Sequence, residues 1–139
     1  MSDEAVTLGF VCVQNAGRSQ MATAFAERER SRRGLDDEVR VLTGGTHPAD
    51  EVHPEVVEAM AELDVDLSDR VPRAVSTAEL NDATVVATMG CSTLELDADV
   101  EVRDWALDDP HGQSVEEVRQ IRDEIRQRVS ALFDEYASA

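Results

Sequence analysis

The chain contains no lysine: all 13 of its basic residues are arginines, and against 30 acidic residues they leave a formal charge of -17. Such a surface repels phosphate backbones and anionic lipid headgroups, whose binding depends on cationic neutralisation, so nucleic acid and membrane surfaces are excluded as partners. Long apolar runs are also missing. No stretch approaches the roughly 20 apolar residues that span a bilayer. The opening Met1-Ser2-Asp3-Glu4 is acidic where a secretion signal is basic, which predicts a cytoplasmic protein. Two cysteines are too few for a disulfide scaffold and do not cluster as zinc ligands do, and His47, His53 and His111 add no metal-ligand spacing. No metal and no bound cofactor are therefore expected. Three Phe, one Trp and one Tyr leave little material for stacking on an aromatic ligand.

The acidic excess itself is informative. Self-repulsion weakens a folded state of this charge at ordinary ionic strength, whereas at about 1 M salt the screening length falls to roughly 3 Å and the penalty largely disappears. The composition thus predicts a protein of a salt-loaded cytoplasm, with an acidic protein of an ordinary cell as the alternative.

A length of 139 residues suits one domain, residues 1–139, with a core of its own. Val6 to Val13 reads as a buried first strand and Val39 to Leu42 as a short second, closed by Thr43-Gly44-Gly45-Thr46. Thr84 to Met89 is a near-continuous apolar third strand, the kind covered on both faces, and Val100 to Val102 a weaker fourth. Helices are expected from near Ser19 to Gly34, from Pro54 through Leu63, for one turn over Thr77 to Leu80, and after Ser114. Ser114 and Glu117 have capping-box spacing, and Val118, Ile121, Ile125, Val129 and Leu132 repeat at helical period. Asp64 to Ala74 is polar and reads as a loop, and the arginines from Arg28 to Arg33, interleaved with Glu29, read as a solvated helix face. Strands alternating with helices predict a three-layer, doubly wound α/β sheet of about four parallel strands with helices on both faces. In such sheets the site lies beyond the carboxyl ends of the strands.

That is where the most distinctive motif falls. Cys12 and Arg18 bracket Val13, Gln14, Asn15, Ala16 and Gly17, and Ser19 follows. The first strand delivers a thiol to its end, a loop of small residues wraps back, and a helix aims its unpaired N–H groups at the same point. Loop amides, the helix N-terminus and the Arg18 guanidinium make a cradle for a dianionic oxyanion, and the same electrostatics favour a sulfur anion at Cys12. Ser19 suits two tasks, capping the helix or donating to the sulfur. Asn15 tolerates a left-handed backbone, which suits a tight loop.

The segment from Cys12 to Ala22 resembles the signature loop of the low-molecular-weight protein tyrosine phosphatase fold, and more narrowly that of its thiol-dependent arsenate reductases. The likeness extends to Thr43-Gly44-Gly45-Thr46-His47-Pro48, Glu58-Ala59-Met60, Thr88-Met89-Gly90-Cys91, Asp104 to Pro110 and Ile121 to Ile125. A Cys-x5-Arg loop alone is shared by unrelated folds, but its place near the N-terminus together with a late Asp-Pro is more specific. The resemblance implies that Cys12 is the nucleophile, that Arg18 binds the oxyanion with its planar fork, and that Asp109 before Pro110 is the general acid. Asp108 beside it tunes that acid, because adjacent carboxyls disfavour joint ionisation. His111 stands where pocket aromatics stand in tyrosine phosphatases.

Cys91 separates the two activities of this fold. A phosphatase needs one thiolate and water, whereas reducing arsenate to arsenite takes two electrons and hence a second thiol. The resemblance implies that Cys91 attacks a Cys12–arsenic adduct, while an ordinary buried strand-end cysteine is the competing account. Where relatives carry a further cysteine, this chain reads Cys91-Ser92-Thr93-Leu94-Glu95-Leu96, without one. Recovery then falls to an external thiol, from thioredoxin, a glutaredoxin-like protein or a small thiol. The expected substrate is arsenate or a phosphate-type oxyanion. The alternatives are a low-molecular-weight tyrosine phosphatase working through phosphocysteine and a non-catalytic oxyanion-binding module.

Overall fold

The computed structural model describes residues 6–12, 15–45, 47–89, 100–105 and 114–136. Strand β1 (Val6–Cys12) leads into helix α1 (Arg18–Arg32), β2 (Val39–Gly45), α2 (Pro54–Ala61), α3 (Thr77–Asn81), β3 (Val85–Thr88), β4 (Glu101–Asp104) and α4 (Val115–Tyr136). The four strands form one sheet in the order β2-β1-β3-β4, with every pairing parallel. The chain leaves β1 toward β2 on one side and returns to β3 on the other. The crevice between the carboxyl ends of β1 and β3 is therefore the topological switch point, where open α/β sheets bind ligands.

Alternation along β1 divides the core. Leu8, Phe10 and Cys12 face one side, where they join Met21 and Phe25 of α1, Val56 and Met60 of α2, and Ile125, Val129 and Phe133 of α4. Val11 faces the other side and meets Val86, Leu80 of α3, Ala83 and Val100. The helical cover is uneven, with three helices contributing to the first cluster and the short α3 to the second. Among the described residues no helix is long and apolar enough to cross a membrane.

Local signals set most element ends. Ser76 caps α3 in a full capping box with Glu79. Ser114 Oγ accepts the Glu117 N–H at 3.2 Å at the start of α4. Gly34, at φ 70°, ends α1: its N–H donates to Ser31 and that of Leu35 to Arg30, a Schellman closure. Strand β2 is three residues longer than the sequence suggested, because Thr43, Gly44 and Gly45 continue the pairing with β1 as far as Cys12. Those glycines permit close approach rather than a turn. A Cβ on Gly44 would lie 2.3 Å from the Val75 Cβ, and Gly45 forms a parallel bridge to Ala74.

The arginine stretch of α1 is less uniformly solvated than its composition implies. Arg33 is half-buried, lies over the Phe133 ring at 5.6 Å and pairs with Glu29 and Asp134. Arg122 of α4, 8% exposed, donates to the Ala59 carbonyl and to Glu62, tying α4 to the end of α2. At the far end of α4, Arg103 of β4 pairs with Glu101 and Glu135 and stacks on Tyr136. Burial pushes the Tyr136 phenol up to about 12, and its hydrogen bond to Glu101 adds to that.

Candidate active site

Cys12 is the last residue of β1, 3% exposed and not in a disulfide. Its sulfur meets two groups from the following turn: the Asn15 N–H donates to Sγ at 3.2 Å, and Ser19 Oγ lies 2.9 Å away. The direction of the second bond follows from Asn15. The Arg73 N–H, an unambiguous donor, meets Asn15 Oδ1 at 3.0 Å, which fixes the amide orientation. Asn15 Nδ2 then donates to Ser19 Oγ at 2.7 Å and to Thr43 Oγ1 at 2.9 Å. With its oxygen already accepting, the Ser19 hydroxyl turns its own hydrogen to Cys12 Sγ.

Asn15 thus spends its whole side-chain capacity on shape. Oδ1 also accepts from Gln20 Nε2 at 3.0 Å, and the same Nε2 reaches the Asn15 carbonyl at 3.0 Å. Its backbone is left-handed, φ 52°, and its side chain is fully buried. Four segments meet on it: the loop itself, α1 through Ser19 and Gln20, the end of β2 through Thr43, and the 70s loop through Arg73. Ser19 therefore lies inside α1 and serves the sulfur, not the cap. The N-cap position belongs to Gly17, and among the described residues no side chain caps the start of α1, which follows the loop from Cys12. The half-buried Arg18 stands in that first turn, and its Nη1 donates to the Met89 carbonyl just past β3, across the switch point. The His53 N–H donates to the Ala16 carbonyl at 2.9 Å and so docks the start of α2 on the same loop. A helix end and a hydroxyl beside the sulfur, with the Arg18 guanidinium in the same first turn, are donors of the kind that hold a tetrahedral oxyanion against a nucleophile.

A family model described as low molecular weight phosphotyrosine protein phosphatase matches residues 7–138. The chain belongs to this family. It is 69% identical over 136 residues, 97% of its own length and 96% of the relative's, to a Halobacterium salinarum protein described as "Putative arsenate reductase". It shares 29% identity and a TM-score of 0.78 with a thioredoxin-dependent arsenate reductase of Corynebacterium glutamicum, covering 97% of this chain but only 63% of that one. A solved arsenate reductase in its phosphate-binding state matches at a TM-score of 0.80 and 29% identity, over 95% of this chain and 99% of the other.

Of the residues singled out in the sequence, Cys12, Asn15, Ala16, Gly17, Arg18 and Ser19 come together in this phosphatase-family loop. Val13, Gln14, Cys91, Asp108, Asp109 and His111 lie outside the described residues. Three contributors had no signal of their own. Thr43, Gln20 and the Arg73 backbone are brought to Asn15 by sequence separations of 28, 5 and 58 residues, and only Gln20 lies close enough in the chain to have been suggested by it.

Proposed function

We propose that residues 1–139 form one arsenate reductase domain. The reading rests above all on the Cys12 sulfur, held by Ser19 and Asn15 beneath an uncapped helix N-terminus. Relatives described as arsenate reductases, one of them 69% identical, support the substrate. Arsenate occupies the loop from Cys12 to Ser19, with Val13 and Gln14 completing it and Arg18 holding two of its oxygens. The Cys12 sulfur attacks arsenic, and Asp109, tuned by Asp108, protonates the departing oxygen so that it leaves as water. Cys91 then attacks the Cys12 sulfur. The sulfur–arsenic electron pair stays on arsenic, which leaves as arsenite, and a Cys12–Cys91 disulfide remains. Two thiols have supplied two electrons, and the disulfide is returned to thiols by an external reductant of thioredoxin or glutaredoxin type. A small thiol performs the same reduction if it attacks the arsenic adduct in place of Cys91. No bound cofactor takes part, and His111 is a candidate pocket residue.

Phosphatase chemistry would use the same Cys12, Arg18 and Asp109 without Cys91, and scarce aromatics leave such an enzyme poorly equipped for tyrosine. The cytoplasm is the compartment in which these thiols stay reduced. The salt-loaded origin read from the charge fits a close relative in Halobacterium. The test is arsenite release and aryl phosphate hydrolysis by wild type, Cys12→Ser and Cys91→Ser, with thioredoxin as sole reductant in concentrated KCl. Cys12→Ser should abolish both activities, and Cys91→Ser should lose only arsenite release. Full arsenite release by Cys91→Ser removes the second thiol from the scheme, and activity in Cys12→Ser removes the site.

A further inference from the structure

With 30 carboxylates and 13 guanidiniums in the chain, pairing is the default for any arginine. Most follow it, from Arg30 with Asp36 to Arg128 with Glu124. Arg28 and Arg126 do not: among the described residues neither has a carboxylate within ion-pair distance, and Arg28 donates only to the Leu63 carbonyl. Both border one surface depression of about 350 Å³ between α1 and α4, completed by Phe25, Glu29, Arg32 and Ser130.

The acceptors in that depression are already consumed. Both Glu29 oxygens are taken by Arg32, and Oε1 by Arg33 as well, which holds the Glu29 carboxyl below its ordinary value. Ser130 Oγ accepts from Arg33 at 3.5 Å and keeps its hydrogen to donate. The walls therefore present two guanidiniums with unused donors and a hydroxyl, beside the apolar Phe25. Two planar forks and a hydroxyl match the oxygens of a tetrahedral dianion. Arg28 follows Arg18 by ten residues of one helix, about 15 Å of rise, so this place is separate from the Cys12 loop.

We propose that the α1–α4 depression is a second anion site, for a small phosphate-type dianion. It stands whether or not the Cys12 loop reduces arsenate. The net charge of the chain repels anions at long range, but at about 1 M salt the screening length is roughly 3 Å and contact donors decide.

The experiment is a titration of the full chain with inorganic phosphate in about 1 M KCl, followed by amide and arginine side-chain NMR. Signals of Phe25, Arg28, Arg126 and Ser130 should shift and saturate. The double variant Arg28→Gln/Arg126→Gln should lose at least tenfold in apparent affinity at those signals, with the response of Gly17 and Ser19 unchanged. Arg40→Gln removes another arginine that has no carboxylate partner among the described residues, on the exposed side of β2, and should behave as wild type. Non-saturating shifts, an unaffected double variant, or equal weakening by Arg40→Gln would each overturn the proposal, the last by showing only diffuse surface charge.

Discussion

At the N-terminal end of α1, Asn15, Ser19 and Gln20 are buried, and Asn15 and Ser19 each hold more than one partner in a single arrangement. At its C-terminal end, Arg30, Arg32 and Arg33 meet Asp36, Glu29 and Asp134 near water, where one carboxylate serves two guanidiniums. One end uses neutral amides and hydroxyls and the other ionised groups, for different purposes. Burial makes an unpaired polar atom costly, so the first network has one geometry and can aim a sulfur. Exposure makes ion pairs interchangeable and nearly neutral in energy, so the second contributes solubility and adaptability.

The comparison is most directly broken at Asn15. Asn15→Ala strands partners in Ser19, Thr43, Gln20 and Arg73. It should cost about 2–4 kcal/mol, more than the roughly 1–3 kcal/mol of one unsatisfied buried group. Misplacing the loop by about 1 Å should also lower arsenate turnover roughly 100-fold. Urea unfolding and single-turnover arsenite release measure the two, and near-normal turnover would mean that the loop keeps its shape without the hub.

Gly44→Ala tests the support behind that network. Its new Cβ meets Val75 at 2.3 Å, so about 1–3 kcal/mol of stability should be lost to overpacking. The double variant Gly44→Ala/Val75→Gly, which removes the Val75 Cβ, should recover more of it than Gly44→Ala/Val75→Ala, which removes only the Cγ1 contact at 2.8 Å, and absence of recovery in both would place the cost in the backbone.

At the other end of α1, Glu29→Gln should give a smaller, pH-dependent loss. The hydrogen bond from Arg32, with a further one from Arg33, lowers the Glu29 carboxyl below 4.5 in the folded state. Its contribution is therefore complete above the unfolded value and lost as pH falls through the lowered folded one. The Tm gap between wild type and variant should be open at pH 7 and close below about pH 4.5.

The smallest effect is expected from an exposed pair. Glu124→Gln, which removes the partner of Arg128 at 2.9 Å, should cost about 0–1 kcal/mol and less as KCl is raised. Over the same salt range the Tm of the whole chain should rise, because screening relieves a net charge of -17 more than it weakens individual pairs.

Much of the scaffold was legible in the residues. Apolar runs marked the strands, Ser114 and Gly34 marked helix ends, and the helical repeat from Val118 to Leu132 is buried as its spacing required. These are signals carried within a few residues, through hydrogen bonds and periods that a short segment satisfies by itself. Gly44 and Gly45 were read as closing the second strand for the same reason: the need for small size at Gly44 comes from Val75, and Gly45 bridges to Ala74, some 30 residues away.

The sequence by itself determined the alternation of elements, the thiol-to-guanidinium loop and the charge that calls for salt. Only the tertiary structure decided that Thr43, Gln20 and the Arg73 backbone close around Asn15, that Ser19 faces the sulfur rather than the helix cap, and that Arg28 and Arg126 share a depression whose one carboxylate, Glu29, is taken by Arg32 and Arg33. Each of those facts joins segments whose proximity the sheet and helix packing enforce, and no local preference of a residue encodes which distant donor or acceptor it will meet.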